Sequence, residues 1–257
     1  LKQIHHFTRL LLPILEKIYS ETPKGASIDE PAIVDVGSGK SYLGFLLYDL
    51  WSGPLGRGTI TSVESRPELV SRSRSLSAET GFSRMRFLES TIRDSDPGRV
   101  DLLVALHACD TATDEAILLG LEKGARSIAL VPCCQAEVSR LLGSLPREPK
   151  HPWWRLWRFP LHSREFGSHL TNVIRALVLE SAGYKVTVTE LLGWEHSMKN
   201  ELILAEKKAE KKAGNKTEGV GPTSTSANPA REWLNELLSE IPIEPMLIRE
   251  LRSSGRI

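Results

Sequence analysis

The sequence predicts a doubly wound α/β domain, and three observations carry that reading. Apolar, β-rich runs of four to seven residues alternate with helix-length segments along most of the chain. The first run closes in a glycine turn, Gly37-Ser38-Gly39, ahead of a helical pattern. The last two runs are joined by a loop without a helix, so they pair antiparallel. Seven strands, helices on both faces and a closing antiparallel hairpin follow.

The elements fall in this order. Residues 3–20 place Ile4, Phe7, Leu10, Leu11, Ile14, Leu15 and Ile18 at helical spacing. Residues 32–36, Ala-Ile-Val-Asp-Val, read as a buried strand, and 41–51 as a helix. A second strand spans 59–63 and ends at Glu64, and Pro67 starts a helix through residue 78. Strands follow at 85–88 and 101–106, the latter ending at His107. A helix spans 112–122, and a fifth strand, 127–131, ends at Pro132-Cys133-Cys134. A long helix over 169–182 leads to strands 184–190 and 201–206. The five lysines of 207–228, followed by Gly, Ser, Thr and Pro, mark a solvated tether. Asn228-Pro229 then caps a helix whose Trp233, Leu234, Leu237, Leu238 and Ile241 form one apolar stripe that docks on the main domain. The expected division is a domain over 1–206, with 1–30 as a helical N-terminal cover, a linker over 207–228 and a helical segment over 229–257.

Composition excludes several classes. The 257 residues are 40% apolar and 25% charged, enough for a core and incompatible with disorder throughout. Lys and Arg total 33 against 32 acids, so no global field draws nucleic acid or anionic membrane. No apolar run approaches the roughly 18 residues of a spanning helix. The N-terminus lacks a signal-peptide pattern and an initiator Met, which reads as a fragment or a processed form. Three cysteines, two of them adjacent, do not make a disulfide framework and point to a reducing, cytoplasmic setting.

Three ligands compete for Val34-Asp35-Val36-Gly37-Ser38-Gly39-Lys40-Ser41-Tyr42. A P-loop needs glycine at position 34, where Val stands. A dinucleotide fingerprint needs Gly or Ala at position 42, where Tyr stands. S-adenosyl-L-methionine has no phosphates but carries a sulfonium and an α-amino group, so an acid at position 35 faces cations. The glycines let the backbone pass close to a ligand. Glu64, at the end of the second strand, suits a pair of ribose hydroxyls, a role shared with dinucleotide folds.

The segment resembles motif I of the class I S-adenosylmethionine-dependent methyltransferases. Together with Leu106-His107-Ala108-Cys109-Asp110, Pro132-Cys133-Cys134-Gln135 and Glu195-His196-Ser197-Met198-Lys199-Asn200, it resembles the methyltransferase-domain family that includes glutathione-S-transferase-C-terminal-domain-containing proteins. The resemblance spans about residues 1–206. It implies a Rossmann-like seven-stranded methyltransferase sheet of order 3-2-1-4-5-7-6, with the last strand antiparallel. It implies that Asp35, Gly37 and Gly39 hold the methionine part of the cofactor and Glu64 the ribose. Adenine contact is expected near Thr91 and Ile92, although many relatives have an acid where this chain has Thr91. Ser38, Tyr42 and His107 complete the expected cofactor set.

The fourth and fifth strands of such a sheet end side by side. That brings His107, Cys109 and Asp110 near Cys133, Cys134 and Gln135, and these five His, Cys and Asp residues are the catalytic candidates. Several readings stand open. The cysteines are small buried hydrophobes, and Asp110 caps the helix at 112–122. Or the group positions an acceptor, with His107 as general base. Or Cys109 and Cys133 act covalently, as in cytosine-C5 RNA methyltransferases, whose surrounding sequence differs. Or His107 and the three cysteines hold zinc, without the usual two-residue spacers; no metal is expected. No Asn-Pro-Pro-Tyr or Asp-Pro-Pro-Tyr follows the fourth strand, which argues against N6-adenine methylation.

Residues 151–169 interleave Trp153, Trp154, Trp157 and Phe159 with Arg155, Arg158 and Arg164. Such a mix stacks bases and grips phosphates, or walls a pocket as a flap. The loop Trp194–Asn200 can overhang the same site, which raises Lys199 and Asn200. His5, His6, His162 and His169 read as ordinary polar residues. The expectation is a monomeric methyltransferase acting on RNA or a protein of the translation machinery. The alternatives are a non-catalytic methyltransferase-like module that binds RNA or a protein, and a nicotinamide-dependent oxidoreductase, which Tyr42 and Asp35 oppose.

Overall fold

The computed structural model describes residues 2–23, 25, 27, 30–106, 108–146, 152–191, 201–208 and 228–257. His107, the loop 192–200 with Lys199 and Asn200, and the tether between 209 and 227 lie outside the described residues.

Seven strands form one sheet in the order β3-β2-β1-β4-β5-β7-β6. They are β1 (Ala32–Val36), β2 (Thr59–Glu64), β3 (Met85–Glu89), β4 (Leu102–Leu106), β5 (Ser127–Val131), β6 (Tyr184–Glu190) and β7 (Glu201–Lys207). The first five run parallel, and β7 enters antiparallel between β5 and β6. Every residue of β2 and β5 is buried, as expected of parallel strands covered on both faces. β6 is exposed over most of its length and forms an edge.

Alternation along each strand feeds two cores. Val34 and Val36 face a core shared with Leu103, Ile117, Ile174 and Leu234. Ile33 faces the other, with Phe7, Leu11, Leu47 and Val104. The first core takes α4 (Thr111–Glu122), α5 (Glu137–Ser144), α6 (Pro160–Ser181), α7 (Pro229–Glu240) and α8 (Met246–Ser253). The second takes α1 (Lys2–Glu21), α2 (Tyr42–Leu47) and α3 (Pro67–Thr80). Lys17 pairs with Glu206 at 2.8 Å and lays α1 along the sheet.

Three elements differ from the sequence expectation. α5 lies in a stretch where no helix was expected, because eight residues carry too little periodicity to stand out. α6 begins at Pro160 rather than 169; Pro at its first position is a start signal that the neighbouring aromatics obscured. Gly167 lies within that added part. A Cβ there would stand 2.8 Å from the Ser139 backbone, so glycine lets α5 and α6 cross closely. The stripe on α7 is narrower than expected: Leu234, Leu238 and Ile241 are buried, but Trp233 is 55% exposed.

The C-terminal segment is part of the body. Asn228 caps α7 by accepting from the Ala230 N–H, and its Nδ2 donates to the Glu180 and Ser181 carbonyls at the end of α6. The Met246 N–H, opening α8, donates to Glu137 Oε1 at 2.8 Å.

Candidate active site

The turn after β1 is shaped by left-handed backbone. Gly37 and Gly39 have φ of 63° and 58°, and Ser41 follows at 55°. A side chain on Gly37 would point between Ile92 Cδ1 and Ala108 Cβ, about 4.0 and 3.9 Å away. Glycine therefore leaves a notch bounded by the segments after β3 and β4. The Ser38 N–H donates to the Val63 carbonyl, and the Gly39 N–H to Glu64 Oε2 at 2.8 Å, which ties the turn to β2.

Two carboxylates converge on this turn. Asp35 is buried beneath it and takes the Gly44 N–H, while its Oδ2 has no partner among the described residues. Burial pushes its carboxyl up to about 7, the Gly44 N–H opposes this, and the charge of Glu64 adds to it. Glu64 shows the opposite balance. Burial would raise it, but Arg66 hydrogen bonds and the Gly39 N–H hold it below the usual carboxylate value. Arg66 Nε lies 2.9 Å from Oε1 and its Nη2 3.2 Å from Oε2, so an exposed guanidinium covers the carboxylate.

The expected adenine positions divide. Ile92 is buried beside Gly37. Thr91 faces outward and caps its own turn: its hydroxyl donates to Asp94 at 2.6 Å and accepts the Asp94 N–H. Tyr42 is 54% exposed and borders a groove with Ile4, Phe45 and Leu76. His5 lies exposed at the same groove.

The three cysteines do meet. Cys109 and Cys133 Sγ are 3.0 Å apart, Cys133 and Cys134 Sγ 3.6 Å. The three sulfurs lie within 4.8 Å of one another. Burial, then hydrogen bonding and charge from its two neighbours, raise the Cys109 thiol far above its ordinary value. Burial likewise raises Cys133, partly offset by Cys109. As metal-free groups these are thiols, not poised nucleophiles.

Asp110 corrects an expectation. It does not cap its own helix: no side-chain bond reaches the start of α4. With φ 50° and ψ −122°, its carboxylate turns across to α5. Oδ1 accepts the Ala136 and Glu137 N–H groups at 2.8 and 3.0 Å, and Arg140 reaches Oδ2. Its own N–H donates to the Cys134 carbonyl. Asp110 thus clamps the β4 turn to the β5 turn.

A buried network beneath these turns escaped the sequence reading. Arg175, fully buried on α6, makes a two-point bond to Asp114 of α4 at 2.7 and 3.1 Å. It also donates to the Asp110 carbonyl and to Asn172 Oδ1. Asn172 Nδ2 continues to Glu201 of β7, while Gln135 reaches Asn172 and accepts from Ser168. Burial raises Asp114 above the usual carboxylate value, against the pull of Arg175. The available signal was an Arg breaking the apolar stripe of Leu170, Ile174 and Val178.

Above the strand ends, Trp157 stacks on Phe166 at 5.6 Å, and Arg158 lies over the rings of Trp154 and Phe159. Trp153, Phe159 and Leu161 remain about half exposed. Ser168 marks where α6 passes Gln135, so the eight residues before it rise about 12 Å past that level.

Residues 1–141 match a family described as "Methyltransferase domain". The chain belongs to that family. The sheet order of this methyltransferase domain agrees with the expected class I plan. No curated protein matches it. Among solved structures, it is similar to an rRNA methylase from Streptococcus thermophilus at 12% identity, covering 70% of this chain and 87% of that one, with a TM-score of 0.43. It is similar to a Podospora anserina methyltransferase bound to SAH at 14% identity, with coverage of 77% and 88% and a TM-score of 0.43. A third is the magnesium protoporphyrin IX methyltransferase from Synechocystis PCC 6803 with bound SAH, at 10% identity, 80% and 84% coverage and a TM-score of 0.46.

Proposed function

We propose that this methyltransferase domain binds S-adenosyl-L-methionine in the notch at Gly37 and transfers its methyl group to RNA or to a protein of the translation machinery. One observation carries the cofactor reading. Asp35, buried with its Oδ2 unpartnered among the described residues, and ionised Glu64 converge on one turn whose Gly37 and Gly39 carry no side chain. The site offers carboxylates where a dinucleotide would need anion donors, which fits a cationic ligand. When bound, the cofactor supplies an electrophilic methyl carbon. Asp35 would balance its positive charge, Glu64 would accept the ribose hydroxyls once Arg66 moves aside, and Ile92 would pack on the adenine. The acceptor reading rests on the half-exposed aromatics and Arg158 projecting beyond the strand ends.

The test is titration calorimetry with S-adenosylmethionine on the wild-type, Asp35→Asn and Glu64→Gln proteins, followed by transfer of labelled methyl to RNA and ribosomal fractions. Binding that Glu64→Gln weakens about 10- to 100-fold is expected. Labelling only of small molecules would sink the acceptor part. A second reading, a binding module without turnover, is favoured by one observation: Asp110 is occupied as a clamp and the Cys109 and Cys133 thiols are held protonated. Cofactor retention with no transfer to any fraction would establish it.

A further inference from the structure

We propose that Cys109, Cys133 and Cys134 form a three-thiolate zinc site at the carboxyl ends of β4 and β5. The argument is geometric. Zinc–sulfur bonds of about 2.3 Å in a tetrahedron set sulfurs roughly 3.8 Å apart. Here two sulfur pairs stand at 3.0 and 3.6 Å, and all lie within 4.8 Å of one another. A metal at their centre needs changes of at most about 1 Å in any sulfur–sulfur distance.

The convergence is built rather than incidental. Leu106 pairs with Val131, so the turns after β4 and β5 leave the sheet at the same level. The Asp110 N–H on the Cys134 carbonyl, and the Asp110 carboxylate on the α5 amides, lock one turn against the other. Adjacent side chains of an extended strand point to opposite faces. Cys133 and Cys134 instead share one side, because the chain has already turned. Ligands drawn from two clamped turns need no two-residue spacer, which removes the sequence-level objection to a metal.

Cys109 is the exposed member of the three, and Cys133 and Cys134 are half-buried. Three thiolates among the described residues leave one position of a zinc tetrahedron to a further ligand. A disulfide is the competing use of the same atoms, but a sulfur–sulfur bond of about 2.05 Å would join two and strand the third. Loading balances simply: three S–H bonds break, three Zn–S bonds form, three protons leave and no electrons move. Ala108, next to Cys109, borders the Gly37 notch, which puts the metal beside the cofactor cleft without depending on it.

The experiment uses the whole chain, purified under reducing conditions. Its only three cysteines are these, so any thiolate-to-cobalt charge-transfer absorption reports this site alone. About one zinc per chain by elemental analysis is expected, with a charge-transfer band on cobalt exchange. Cys109→Ser, Cys133→Ser and Cys134→Ser should each weaken cobalt binding more than about 100-fold, beyond what loss of an outer-shell partner costs. Circular dichroism checks that each variant is folded, and the wild-type measurement stands without them. A reduced, folded chain that takes up no zinc or cobalt overturns the proposal. So does a Cys109–Cys133 disulfide in protein purified without reductant that persists against added zinc. S-adenosylmethionine binding is measured separately, and its failure leaves metal uptake untouched, so the two proposals fall independently.

Discussion

Asp35 links burial to a measurable pH dependence. Its carboxyl lies at about 7 in the folded chain against an ordinary 3.8, so folding favours the neutral form. Its contribution to stability is full below about pH 4 and is lost as pH climbs through 7. Three pKa units correspond to at most about 4 kcal/mol. Urea unfolding at pH 4.5 and 7.5 should therefore show a smaller fall for Asp35→Asn than for wild type. A cation seated at Asp35 reverses the shift, so ligand binding near neutrality should release a proton. Calorimetry in two buffers of different ionisation heat reads that release, and affinity should drop several-fold from pH 8 to 5.5. Glu64 gives a second test. Its carboxylate is engaged by Arg66 until a ligand displaces the guanidinium. Arg66→Ala should tighten S-adenosylmethionine binding by roughly the worth of an exposed ion pair, two- to fivefold; unchanged affinity would mean that ribose does not compete there.

At the scale of elements, the close crossing of α5 and α6 depends on one missing methyl group. Gly167→Ala must push the Ser139 backbone away and should cost about 1–3 kcal/mol. Gly143→Ala, on α5 with open space around it, should instead stabilise by up to about 1 kcal/mol through helix propensity. Chemical denaturation of the two variants gives opposite signs if the crossing is as described. The same pair of helices shows where the sequence stopped being legible. Strand runs and the glycine turn announce themselves locally, so the sheet and the notch were readable. The start of α6 was not, because Gly167 and Ser168 are poor helix formers whose reasons lie on α5 and in the turn before it. The cysteine cluster was readable from strand adjacency alone. The role of Asp110 was not, because its positive φ sends the side chain to a helix that the sequence did not reveal.

The whole molecule is closed by its last thirty residues. Leu234, Leu238, Ile241, Ile243, Leu247, Ile248 and Leu251 are buried in the core that backs β4 and β5. At roughly 2 kcal/mol each, their burial is comparable with the entire stability of a domain. A chain ending at Lys208 should therefore lose its cooperative thermal transition, as scanning calorimetry would show. The apolar stripe on α7 and its docking on the main domain were legible in sequence; the second buried helix, α8, which completes the core beside it, was not singled out.

Asp114, Asn172, Arg175 and Glu201 have a consequence for descent. They sit on three elements; the contacts among Asp114, Asn172 and Arg175 are buried, and the one from Asn172 to Glu201 is partly buried. Removing Asp114 or Arg175 leaves a buried charge without its partner, at about 3–5 kcal/mol, and a change at Asn172 or Glu201 breaks the chain that continues from it. No single mutational step leads smoothly out of that arrangement. Lineages carrying this network are held to inherit the four letters together, and departures should arrive as coordinated replacements, visible as positions that vary in concert when many descendants are compared.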